Sequence, residues 1–90
     1  MKTYLIGYDL NAPGKDYASL FEAIKAIAHL WWRHLDSTWI IKHPGGVQEI
    51  RDALAPHIDA NDELLVVHLS GEGAWKGFND KGSAWLKEHL

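Results

Sequence analysis

Hydrophobic and polar side chains alternate from Lys2 to Asp9, in a segment rich in strand formers. Tyr4, Ile6 and Tyr8 fall on one face of this strand, and Leu5, Gly7 and Asp9 on the other. Both faces are largely apolar, as expected of a central strand with helices on one side. A turn-rich segment, Asn11-Ala12-Pro13-Gly14, follows at once. The period then changes. Tyr17, Leu20, Phe21, Ile24, Ile27 and Ala28 recur at helical spacing behind Asp16, whose carboxylate can cap the first turn, and the helix ends near His29.

Strand character returns between Trp31 and Ile41 and is interrupted at Asp36-Ser37, a pair that favours a turn. The economical reading is two strands, Trp32–Leu35 and Thr38–Lys42; one bent strand is the alternative. His43-Pro44-Gly45-Gly46 breaks the chain before a second helix carrying Val47, Ile50, Ala53 and Leu54, which Pro56 ends or bends. After the turn Asp59-Ala60-Asn61-Asp62, the short apolar run Leu64–Leu69 reads as a buried strand, with His68 a satisfied imidazole within it. Gly71, Gly73 and Gly77 make the next stretch loop-like, and Asn79 or Asp80 starts a last helix carrying Ala84, Trp85 and Leu86.

The order β-α-β-β-α-β predicts an α+β fold of ferredoxin-like type over residues 1–70: a four-stranded antiparallel sheet with two helices on one face. Residues 71–90 form a C-terminal loop-helix appendage on the sheet edge or a partner subunit. Right-handed crossovers put the first and third strands in the middle. The uncovered face must be hidden by the tail, a second copy or a ligand. Trp32, His34 and Trp39 are candidates for that face, although a register slip of one residue reverses the choice.

Composition narrows the function classes. Ninety residues suffice for one domain, and 47% hydrophobic with 23% charged residues describes a globular chain. Five Trp and three Tyr supply large buried areas and spare aromatic surface for an interface. With no Cys there is no disulfide framework and no thiolate metal site. No signal-peptide pattern and no apolar run of membrane-span length is visible, so a cytoplasmic location is the expectation. The formal charge of −3 disfavours strong nucleic-acid binding.

Three blocks resemble a known family. Tyr4-Leu5-Ile6-Gly7-Tyr8-Asp9-Leu10, Leu35-Asp36-Ser37-Thr38-Trp39-Ile40-Ile41 and Ile58-Asp59-Ala60-Asn61-Asp62-Glu63-Leu64-Leu65-Val66-Val67 are similar to the second CRISPR-associated (Cas) protein, a small ferredoxin-like endoribonuclease, and especially to its SinR-like branch. The resemblance implies a homodimer packed through its sheets, and the aromatic positions Trp32, His34, Trp39, Trp75 and Phe78 are its expected interface. It also implies a catalytic, metal-binding role for Asp9. Two copies of Asp9 facing across a two-fold axis would hold Mg²⁺ or Mn²⁺, which prefers oxygen ligands and activates water towards a phosphodiester. The family typically carries Arg after the first strand and along the first helix. Here that region offers Lys15 and Lys25 beside Asp16 and Glu22, which counts against nucleic-acid binding.

Read from the residues alone, Asp9 has two roles open to it: metal binding, or capping the following loop by accepting its N–H groups. Asp36 and Ser37 serve a turn. The six His are scattered without zinc-helix spacing, and Gly71–Gly77 lacks the Gly-Lys-Ser/Thr ending of a phosphate loop. No Ser has the Gly-x-Ser-x-Gly context of a nucleophile. The glycine-rich tail is expected to cross a neighbouring subunit or its own sheet edge, with Trp75, Phe78 and Trp85 as anchors. Two functions remain: a metal-dependent nuclease centred on Asp9, and a non-enzymatic immunity, antitoxin or defence scaffold that binds a protein partner.

Overall fold

A computed structural model describes residues 1–12 and 14–90; Pro13 of the expected turn lies outside the described residues. The elements run β1 (Lys2–Asp9), α1 (Ala18–Ile27), β2 (Leu30–Trp32), β3 (Thr38–His43), α2 (Val47–Leu54), a 3₁₀ turn (Ala55–His57), β4 (Glu63–His68) and α3 (Asp80–His89). The fold is mixed α+β. Its sheet is four-stranded and antiparallel in the order β2-β3-β1-β4, with the first and third strands central.

The register assigns every strand residue to a face. Ile6 lies opposite Trp39 on β3 and Val66 on β4. Tyr4, Ile6, Trp39 and Ile41 therefore share one face, where Leu20 and Ile24 of α1 and Ile50 and Leu54 of α2 close over them. The helical spacing in the sequence supplies these four helix residues, and all of them are buried. Trp39 is 0% exposed in this core. Its indole N–H donates to the Tyr8 hydroxyl at 2.9 Å, and the Arg33 guanidinium covers its ring at 4.8 Å. Trp39 is thus not on the open face and cannot join a sheet-to-sheet interface. The residue opposite it in β1 sets its side, and that pairing is not visible in the alternation of β3 alone.

The other face carries Leu5, Gly7, Asp9, Trp32, Ile40, Leu65 and Val67. Here α3 folds back over its own sheet. Leu86 joins Trp32 and Ile40 in a second core, flanked by Leu69, Trp75, Phe78, Trp85 and Leu90. The Asn79 side chain caps α3 by accepting from Gly82 N at 2.8 Å. At its other end, the Thr3 hydroxyl donates to the His89 carbonyl at 2.8 Å. Gly71 and Gly77 have φ of +93° and +90°, a region that favours glycine and lets the connection turn back onto the sheet. The tail is therefore an integral second layer, packed on the sheet's face rather than its edge.

Two local expectations shift. The second strand is Leu30–Trp32 rather than Trp32–Leu35, because Leu30 pairs with Lys42 and leaves residues 33–37 as a longer connection. The first helix begins one residue late. Tyr17 takes a left-handed conformation at φ +55°, and Asp16 Oδ1 accepts from Ala18 N at 3.1 Å. Among the described residues, no helix is long and apolar enough to cross a membrane.

Candidate functional site

Three chain segments meet at one end of the sheet: the last residues of β1, the turn into β3 and the start of β4. They form an open depression of ≈ 570 Å³ lined by Gly7, Tyr8, Asp9, Ser37, Thr38, Glu63, Leu64 and Leu65. Asp9 closes β1 and lies directly opposite Glu63, the first residue of β4, with both side chains exposed. Among the described residues, neither carboxylate has a salt-bridge partner or a side-chain hydrogen bond. Like charges set across two strands repel. Two carboxylates line the depression together with the hydroxyl-bearing Ser37 and Thr38, oxygen groups of the type a hard divalent cation prefers. None of the lining residues is Lys or Arg. Among the described residues no three His, Asp or Glu side chains gather into a metal-holding group.

The loop-capping role considered for Asp9 belongs to Asp62. Asp62 Oδ1 accepts from Asn11 N at 2.6 Å and from the Tyr17 hydroxyl at 2.7 Å, and its Oδ2 accepts from Asp59 N at 2.7 Å. Asn11 Nδ2 donates to the Asn61 carbonyl at 3.0 Å, and Lys15 meets Asp59 at 3.0 Å. This network ties the loop after β1 to the turn before β4 and so holds Asp9 and Glu63 side by side. It also accounts for the unusual backbone at Tyr17. The left-handed conformation is costly for a bulky residue, and burial of the ring and the bond to Asp62 offset that cost.

The protonation equilibria follow the same geometry. Partial withdrawal from water pushes the Asp62 carboxyl up, but the N–H groups of Asn11 and Asp59 and the Tyr17 hydroxyl outweigh it and hold the group below its ordinary value. Removal from water, then the hydrogen bond to Asp62, raises Tyr17. Lys15 is raised by its bond to Asp59.

The aromatic residues expected at a dimer interface are occupied within the chain. Trp32 is buried beneath the tail, with ring centres 5.3 Å from Phe78 and 6.5 Å from Trp85. His34 is exposed but sits edge-on to Phe78 at 5.0 Å. The Trp75 indole donates to the Ser83 hydroxyl at 3.1 Å. A sheet-to-sheet dimer anchored on Trp32, Trp75 and Phe78 is therefore displaced by the chain's own α3.

The surface left bare was not singled out from sequence. The tail core centres on β2 and β3, leaving an apolar strip towards β4. Leu65 is 57% exposed and Val67 36%. The run Leu64–Leu69 is thus not a buried strand, and His68 is exposed rather than enclosed, its ring 5.5 Å from that of Tyr4. A continuous apolar run does not reveal whether a cover reaches both faces of a strand. On the helix side, Val47, Gln48 and Arg51 of α2 form a groove of ≈ 210 Å³ with Leu64, Leu65 and Val66. Compared with known proteins, the chain matches no family model and no curated sequence.

Proposed function

We propose that this chain is a non-enzymatic interaction protein on a ferredoxin-like frame of the CRISPR-associated, SinR-like kind. Its working surface is the apolar strip along β4. The observation that carries this reading is the exposure of Leu65 and Val67 on an edge strand while α3 covers the β2–β3 half of the same face. Exposed apolar side chains grouped along an unpaired edge are what strand-addition binding uses: main-chain bonds give affinity and the side chains give fit. A photo-activated crosslinker at position 65 should give a defined protein adduct in the cell. The same group at Ala26, exposed on α1, should give none. Equal labelling at both positions, or none at 65, contradicts the reading.

A second reading is favoured by the Asp9–Glu63 pair. In it, Mg²⁺ or Mn²⁺ is held by these two carboxylates and activates water on a phosphodiester. The absence of Lys and Arg from the depression ranks it second, since no fixed cation there would hold a polyanionic backbone. Labelled RNA and duplex DNA incubated with either metal should remain intact. Cleavage that disappears in Asp9→Ala would instead establish the nuclease.

A further inference from the structure

The hydrogen-bond parity of the sheet defines what fits the β4 edge. Leu69 N donates to the Thr3 carbonyl at 2.9 Å, one of the closely spaced pairs of the β1–β4 ladder. Counting back in twos along the register, Val67, Leu65 and Glu63 also turn their N–H and C=O groups towards β1. On the opposite side of β1, Tyr8 N donates to the Ser37 carbonyl at 3.1 Å, so the even residues of β1 serve β3 and the odd ones serve β4. Leu64, Val66 and His68 therefore direct their main-chain groups outward, where no strand of the described residues meets them. The edge is six residues long and contains no Pro, Lys or Arg to deter pairing. The opposite edge, β2, is only three residues long and lies beside the tail core.

We propose that the occupant of this edge is a second copy of the chain, paired antiparallel through β4 about a two-fold axis at Val66. The inference rests on the strip reading above and names its partner. A two-fold normal to the sheet keeps each face continuous, so residues of the same parity must lie opposite one another. With Val66 opposite its own counterpart, Leu64 faces the second copy's His68, and every outward N–H and C=O of Leu64, Val66 and His68 is satisfied. A register displaced by two residues leaves His68 or Leu64 unpaired. On the open face, this same register sets Leu65 of one copy against Val67 of the other in the widely spaced pairs, where side chains come closest. The two bare residues of β4 thus cover each other. The two copies of Glu63 lie six positions apart along the paired strands, roughly 20 Å, beyond the screening length of about 8 Å at physiological salt. The acidic ends therefore do not oppose pairing. Asp9, next to Glu63, is carried to opposite ends of the dimer, so each depression stays separate and is not shared across the axis.

Light scattering should give a mass twice the 10.2 kDa of one chain. Leu65→Lys/Val67→Lys should return it to a single chain. Val66→Pro removes an outward N–H that β1 does not use, and should weaken association on the order of tenfold, with circular dichroism checking that the fold survives. The chain has no Cys, so register can be read by crosslinking. Mixed under oxidising conditions, Leu65→Cys and Val67→Cys chains should form a disulfide heterodimer, and neither should crosslink efficiently alone. A single-chain mass at every concentration overturns the second copy as occupant and leaves the strip to another protein, which the position-65 crosslinker reports. A dimer that survives both the Lys pair and Val66→Pro forms elsewhere and overturns the inference, while the position-65 crosslinker still decides the strip reading.

Discussion

The two halves of the open sheet face follow the same pleat and end differently. On the β2–β3 half, Trp32 and Ile40 are sealed by Leu86 and the aromatic tail. On the β4 half, Leu65 and Val67 have the same apolar character and no cover. The difference lies in where α3 packs. One ten-residue helix, α3, on a glycine-hinged connection spans the sheet only in part. One half of the face is thus closed within the chain, and the other is left for the proposed partner.

That contrast can be broken at graded cost. Trp39→Ala, in the fully buried helix-side core, should destabilise by about 3–5 kcal/mol in urea unfolding. Leu86→Ala should cost about 2–5 kcal/mol and shift Trp fluorescence to longer wavelength as Trp32 gains water. A smaller loss indicates that the tail is loosely held and that both halves are effectively bare.

Asp62→Asn comes next. The folded protein holds this carboxyl below its ordinary value of about 3.9, so its contribution is fully present above that pH and is lost as pH falls through the lowered folded value. The variant should melt at lower temperature than the parent at pH 7. The gap should narrow as the pH drops below about 4. A gap unchanged at low pH would mean that the charge of Asp62 does not matter. Least costly is Leu65→Lys, which should change monomer stability by no more than about 0.5 kcal/mol, because its side chain is mostly in water. A large loss would place Leu65 in a core rather than on a binding strip.

Much of this architecture was legible in the chain. The helical spacing of Leu20, Ile24, Ile50 and Leu54, the breaks at Asp36-Ser37 and His43–Gly46, and the Asn79 cap were each written in local chemistry. What escaped depends on contacts distant in sequence. The side taken by Trp39 follows from its pairing with Ile6 in another strand. The exposure of Leu65 follows from the packing of α3 on Trp32 and Ile40 instead. The capping function passed from Asp9 to Asp62, fifty-one residues from the N–H of Asn11 that it accepts, and no local motif announces a bond of that span. At the candidate site, Asp9 was visible as a strand-end carboxylate. Its companion Glu63 became evident only through the register.

Amide hydrogen exchange along β4, at dilute and at concentrated protein, tests the central claim most directly. Leu65, Val67 and Leu69, bonded to β1, should be protected at both concentrations. Leu64, Val66 and His68 should exchange quickly when dilute and gain protection when concentrated. Uniform protection along the strand when dilute, or fast exchange at Leu64, Val66 and His68 in concentrated protein, would contradict the claim that this edge is open and awaits a second copy.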